Sequence, residues 1–223
     1  GDRICVHTLS HRHGVSFARN HGVNHASSDW ICFLDSDDEW QPDKLKEHRD
    51  FFRQYPFMLI HQTDENWIRN DRPLAKKNYH EKVGGWIFEH CLDRCMISPS
   101  AVMLSRHLAH FFPFDPLLPA CEDYDNWLKI TRYYPVGLSS NRCVTKYAGH
   151  SQLSHYYESM DHFRLLSLYR SLANESDSFH RNALLKTFEF KYHILLNGAK
   201  KRGLSRKIDF YRALYNQRLG LRS

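Results

Sequence analysis

The run Trp30-Ile-Cys-Phe-Leu34 stops abruptly at Asp35-Ser-Asp-Asp38, and this junction constrains the chain more than any other feature. A short continuous apolar run predicts a strand buried on both faces in a parallel sheet. The acids then stand at the strand's carboxyl end, and ligands of open α/β sheets bind in the crevice outside such ends. Three carboxylates in four positions repel and raise one another's pKa, so a cation is expected among them. Hard divalent ions, Mg²⁺ or Mn²⁺, prefer carboxylate oxygens and commonly keep positions for substrate phosphates. The competing reading is a solvated acidic turn that favours the start of the helix after Trp40.

Around the junction, apolar residues at Val15, Ala18, Val23 and Ala26 predict a helix with one face on the sheet, and Lys44 to Phe52 continues as a helix after Pro42. Phe57-Met-Leu-Ile60 and Ser100-Ala-Val-Met-Leu104 read as further strands. The polar stretch from His61 to Gly85 reads as a loop or a pair of short strands over a site. Glu122 to Tyr133 has a helical pattern with Tyr124, Trp127, Leu128 and Ile130 inward. This alternation argues α/β. From about Ser159 the pattern is purely helical. Met160, Phe163, Leu166 and Tyr169, then Leu184, Phe188, Tyr192, Leu195 and Ala199, then Ile208, Tyr211 and Leu214 predict two or three helices, the second ended by Gly203. The division expected is a catalytic domain over 1–155 and a helical extension with a basic tail over 156–223.

With 223 residues, 42% hydrophobic and 14% aromatic, the chain can bury a full core. No run approaches a membrane span and no signal-peptide order opens the chain, which reads as cytoplasmic. The six cysteines read as free thiols. Cys91, Cys95 and His90 lack the paired spacing of a zinc site. The net charge of +6 is concentrated in the tail, where Lys200, Lys201, Arg202, Arg206, Lys207, Arg212, Arg218 and Arg222 face Asp209 alone. Such a segment suits peripheral contact with an anionic membrane surface, against the plainer reading of a solvated helix face. A nucleic-acid partner is not expected, because Phe210, Tyr211 and Tyr215 follow helical core spacing rather than interleaving with the basic residues as stacking platforms.

Gly14-Val-Ser-Phe-Ala-Arg-Asn20 with Gly22, then Trp30 through Asp35-Ser-Asp-Asp-Glu-Trp40, Pro42 and Lys44-Leu45, resembles the middle of a bacterial family 2 glycosyltransferase. The resemblance implies a GT-A, Rossmann-like mixed sheet that is N-terminally incomplete and carries a C-terminal helical extension. Members begin with strands that hold the nucleotide, so it further implies that roughly 60 to 80 residues of a doubly wound half precede Gly1. It also implies roles for particular residues. Arg19 lies near the nucleotide. Asp35, Asp37 and Asp38 contact the nucleotide sugar, with Asp37 on a Mn²⁺ or Mg²⁺ ion. Leu118-Pro-Ala-Cys-Glu-Asp-Tyr-Asp-Asn-Trp127 resembles the segment whose acid deprotonates the acceptor, which makes Asp123 the base and Glu122 its neighbour. Lys146-Tyr-Ala-Gly-His-Ser-Gln152 resembles a closing loop that brings His150 to the metal or diphosphate.

The implied reaction is inverting transfer from a nucleotide-diphosphate sugar to a hydroxyl of a glycan or lipid-linked acceptor, in cell-surface polysaccharide or lipopolysaccharide assembly. The rival from another class is a catalytically inactive module that keeps a sugar or partner site; it predicts no metal-dependent nucleotide binding. Each assigned acid also has a structural reading, since Glu122, Asp123 and Asp125 suit the first turn of a helix whether or not they touch substrate.

Overall fold

The computed structural model describes residues 4–75, 81–149 and 156–220. Among the described residues, six strands form one mixed sheet in the order β1, β5, β3, β6, β2, with β4 paired to the outer part of β3. The strands are β1 (Trp30–Cys32), β2 (Asp38–Trp40), β3 (Ile60–Arg69), β4 (Arg72–Pro73), β5 (Val102–Ser105) and β6 (Gly137–Ala148). Only β3 and β6 run parallel; every other pair is antiparallel.

The apolar run at Trp30 therefore forms a short strand antiparallel to β5, with Ile31 alone fully buried, rather than a central parallel strand. The chain leaves the sheet at Phe33, whose ring packs edge-on to Phe114 at 5.4 Å. The strand expected over Phe57–Ile60 starts only at Ile60, and Phe57 is 96% exposed. The long strand is instead the polar stretch that follows. His61, Gln62 and Thr63 are wholly buried in β3, and Asp64 and Glu65 nearly so. Each finds a partner off the strand, which is what lets polar side chains occupy a central position.

Helices α1 (Val15–His25), α2 (Lys44–Gln54), α3 (Phe88–Asp93), α4 (Arg106–Phe111) and α5 (Glu122–Thr131) surround the sheet. Ser105 caps α4 by accepting the Leu108 N–H at 3.2 Å. Tyr124, Trp127, Leu128 and Ile130 of α5 are buried as their spacing predicts, each contributing about 1.5–3 kcal/mol of apolar burial. On α1, Val23 packs in the core and Ala26 packs against it, while Ala18 is exposed.

Helices α6 (Met160–Asn174), α7 (Ser178–Lys201) and α8 (Ser205–Leu219) complete the chain, and Gly203 lies just past α7 with φ 66°. The five positions expected to face inward on α7 are all buried. On α6 the buried seam is Leu165, Leu168 and Leu172, with Met160, Phe163 and Tyr169 packed at its edge. These side chains join the same apolar cluster as α5 and the sheet. The boundary expected at residue 155 therefore separates two parts of the sequence but not two cores. No helix among the described residues is long and apolar enough to cross a membrane.

Candidate active site

Ser100 fixes the acidic turn from behind. The 3₁₀ turn Pro99–Ala101 presents its hydroxyl, which accepts the Asp35 N–H at 3.0 Å and donates to Asp38 Oδ2 at 2.6 Å. The indole N–H of Trp40 donates to the Ser100 carbonyl at 2.8 Å. Asp38 opens β2, and its partner in register on β6 is Lys146. Lys146 Nζ donates to Asp38 Oδ2 at 2.6 Å, with the Asp38 side chain only 3% exposed. Burial pulls the Lys146 ammonium down, but Glu65 and Asp38 outweigh it and hold its pKa above the usual lysine value. Asp38 was expected among the donor-contacting acids; in the structure it anchors Lys146 and lies outside the lining of the cleft. Asp37 is exposed on the turn, and Asp35 is half-buried and lines the cleft.

Arg19 ties this turn to α5. One guanidinium nitrogen donates to Asp35 Oδ1 at 2.7 Å and the other to Glu122 Oε1 at 2.6 Å. Phe114 lies under the guanidinium at 5.1 Å. Burial and the adjacent Asp123 push the Glu122 carboxyl up, against the pull of Arg19. Glu122 is thus committed to Arg19, and Asp123 is the member of the pair that lines the cleft. The backbone before them is left-handed at Cys121, with φ 59°, a conformation that costs a non-glycine residue roughly 1 kcal/mol or more and sets the entry of α5. Asp123 Oδ2 accepts the Cys95 thiol at 3.2 Å, and Oδ1 accepts the Tyr124 N–H at 2.7 Å. Burial and Asp123 together push that thiol well above its ordinary pKa, so Cys95 stays a donor.

The cleft has a volume of about 400 Å³ and brings Asp35 and Asp123, 88 residues apart in sequence, to one cavity with Glu65, Lys82, Lys146 and Arg164. Lys82 sits 3.4 Å from Glu65, and burial pulls its pKa down against that carboxylate. Sequence reading missed Glu65, Lys82, Cys95 and Arg164 because each acquires its place only through pairing or packing distant in sequence. Lys146 was visible only as the start of a segment, and its link to Asp38 is a matter of strand register. His150 lies outside the described residues. All six cysteines are free, with no disulfide among them.

Asp35 lines the cleft, and Asp37 stands exposed on the same turn outside its lining, so the turn can present carboxylate oxygens of the kind a hard divalent ion takes. Among the described residues the turn does not converge into a three-ligand group. Mg²⁺ or Mn²⁺ takes one or two carboxylates and completes its shell with water and substrate phosphate.

A GT-A-type α/β fold with a carboxylate turn and a second acid on one cleft, lined also by Lys82 and Lys146, defines the class. The chain matches, over residues 1–107 and so just under half of its length, the family described as Glycosyl transferase family 2. It is 30% identical over 117 residues to the amylovoran biosynthesis glycosyltransferase AmsB of Erwinia amylovora, covering 48% of this chain and 38% of that protein. It is 31% identical over 130 residues to the Escherichia coli protein WfgD, a UDP-Glc:alpha-D-GlcNAc-diphosphoundecaprenol beta-1,3-glucosyltransferase, covering 58% and 49%. The putative teichuronic acid biosynthesis glycosyltransferase TuaG of Bacillus subtilis is 24% identical over 146 residues, covering 66% and 57%. The chain thus spans about half the length of these relatives. In structure it is similar to S. aureus TarS 1–349 solved with UDP-GlcNAc, with a TM-score of 0.62 at 15% identity, covering 93% of this chain and 64% of that one.

Proposed function

We propose that the chain carries the acceptor side and the metal-binding turn of an inverting glycosyltransferase that moves a sugar from a nucleotide-diphosphate donor to a hydroxyl acceptor. The observation that carries this reading is the placement of Asp35 and Asp123 on one cleft that Lys82 and Lys146 also line. Asp123 takes the acceptor hydroxyl proton as the oxygen bonds to the anomeric carbon, and the carbon–phosphate oxygen bond breaks with its electron pair leaving on the diphosphate. Attack from the face opposite the leaving group inverts the anomeric centre. Lys146, held by Asp38, and Lys82 place positive charge where diphosphate charge develops. Asp35 and Asp37 would hold Mn²⁺ or Mg²⁺, which when bound would add Lewis-acid stabilisation of the same charge. His150 joins that shell or the diphosphate in this reading.

The names of the relatives support a place in cell-surface polysaccharide or lipopolysaccharide assembly, and WfgD's name supports a lipid-linked diphosphate sugar as one acceptor class. Work on such an acceptor suits peripheral attachment at the inner face of the cytoplasmic membrane, and Lys200, Lys201, Arg206 and Arg212 are exposed for it. The test is transfer from UDP-glucose or UDP-GlcNAc to a GlcNAc-diphospho-lipid, with Asp123→Asn as the variant. A loss of about 10²–10⁴-fold in turnover with nucleotide binding retained is expected of a removed general base. Equal turnover in the variant would overturn the assignment.

A further inference from the structure

A cluster of imidazoles lies apart from the cleft, where the N-terminal segment meets α1. His21 and His25 stand four residues apart on that helix, a spacing that stacks two side chains on one face. His7 reaches them from the preceding segment. The three rings lie 4.2–5.0 Å apart between centroids, and one nitrogen from each falls within 4.8 Å of the others. Among the described residues this is the one group of three or more His, Cys, Asp or Glu side chains that converges in this way.

Two details go beyond proximity. His25 Nδ1 donates to the His21 carbonyl at 2.8 Å. That bond fixes the tautomer, leaves the Nε2 lone pair outward, and is the outer support usual for a metal-ligating histidine. His21 Nε2 and His7 Nδ1 lie 3.2 Å apart. Two nitrogens each about 2.0–2.1 Å from one tetrahedral ion must sit roughly 3.3–3.4 Å apart, so the observed gap is that of a chelating pair. The carboxylate turn offers only hard oxygens; this cluster offers only imidazole nitrogens, which suit Zn²⁺, Ni²⁺, Co²⁺ or Cu²⁺.

We propose that His7, His21 and His25 form a binding site for a borderline transition-metal ion, Zn²⁺ in the first instance, with water as a fourth ligand. Occupancy clamps the N-terminal segment to α1, the helix that also carries Arg19, and so couples metal availability to the order of that segment. The proposal is independent of the transfer chemistry.

The experiment is calorimetric titration of Zn²⁺ into the full, tag-free chain, together with Co²⁺ absorption in the visible range. The His21→Ala, His25→Ala and His7→Ala variants are compared with His13→Ala and Asp37→Ala. One Zn²⁺ per chain is expected, with affinity falling at least tenfold in each of the first three and unchanged in the last two. Co²⁺ should give the intense bands of a four-coordinate site in the parent, and these should be lost in the first three variants. Because His7 lies outside the helix, its variant separates ligand loss from helix damage. Zn²⁺ affinity unchanged in the three variants, or lost instead in Asp37→Ala, would overturn the site.

Discussion

Replacing Arg19 by alanine would leave Asp35 and the buried Glu122 without the cation that bridges them. Breaking a buried pair from one side typically costs about 3–5 kcal/mol, because a charge is left behind without compensation. A large fall in Tm is therefore expected for Arg19→Ala. Arg19→Lys should recover little of it, since a single ammonium cannot span two carboxylates as a planar fork does. A lysine variant with parental Tm would contradict the bridging role. Cys95 makes a subtler contribution. Its thiol donates to Asp123, so Cys95→Ala removes one donor that steadies the carboxylate in the cleft. Turnover should fall severalfold with nucleotide binding retained, while a role in packing alone would lower stability and leave turnover in place.

At the scale of elements, β3 and α2 share a buried polar chain. Lys44 Nζ donates to His48 Nε2 at 2.7 Å, Thr63 Oγ1 at 3.2 Å and the Ala101 carbonyl at 2.8 Å, which uses all three ammonium protons. With His48 Nε2 accepting, its Nδ1–H faces His61 Nδ1 at 2.7 Å, and His61 Nε2–H faces Ser139 at 2.9 Å. Burial and the Lys44 charge bring His48 down to about 2, and the same two causes bring His61 down to about 4, against an ordinary value of 6.5. A depressed folded-state pKa gives stability that is fully present above pH 6.5 and lost as pH falls toward 4. Tm should drop across that window, less steeply in His48→Gln and His61→Gln; parallel profiles would contradict it. The same packing makes Gly137 indispensable, because a Cβ there would overlap the Phe51 ring, which stacks on His61 at 3.8 Å. Gly137→Ala should cost about 1–3 kcal/mol by overpacking, read as a shift in denaturant midpoint. None of this was legible in the sequence. A strand whose inward residues are His61, Thr63 and Glu65 has no apolar signature, so the stretch read as a loop or a pair of short strands rather than one long central strand, whereas the apolar periodicity of α5 and α7 marked their buried faces directly.

For the whole molecule, the C-terminal helices complete the core and are no separable appendage. Leu168 and Phe188 are wholly buried in the cluster shared with α5, and Lys191 joins α7 to the Asp93 carbonyl at 3.3 Å and to Asp161 at 3.0 Å. Leu168→Ala should lower stability by about 2–5 kcal/mol in a single cooperative transition. Two separate transitions would contradict one core. The resemblance to family 2 glycosyltransferases was legible because the acidic turn and the residues around it keep local spacing. The assembly of the cleft was not, because Arg19, Lys82 and Lys146 reach it through contacts between distant segments. This cleft is expected to bind a nucleotide diphosphate through a divalent ion on the acidic turn. Calorimetric titration of UDP and GDP, with and without Mn²⁺, into the chain and its Asp37→Ala variant tests it most directly. Binding that requires Mn²⁺ and disappears in the variant is the expected result; a folded chain that binds neither nucleotide, or binds equally without Mn²⁺ or without Asp37, would contradict it.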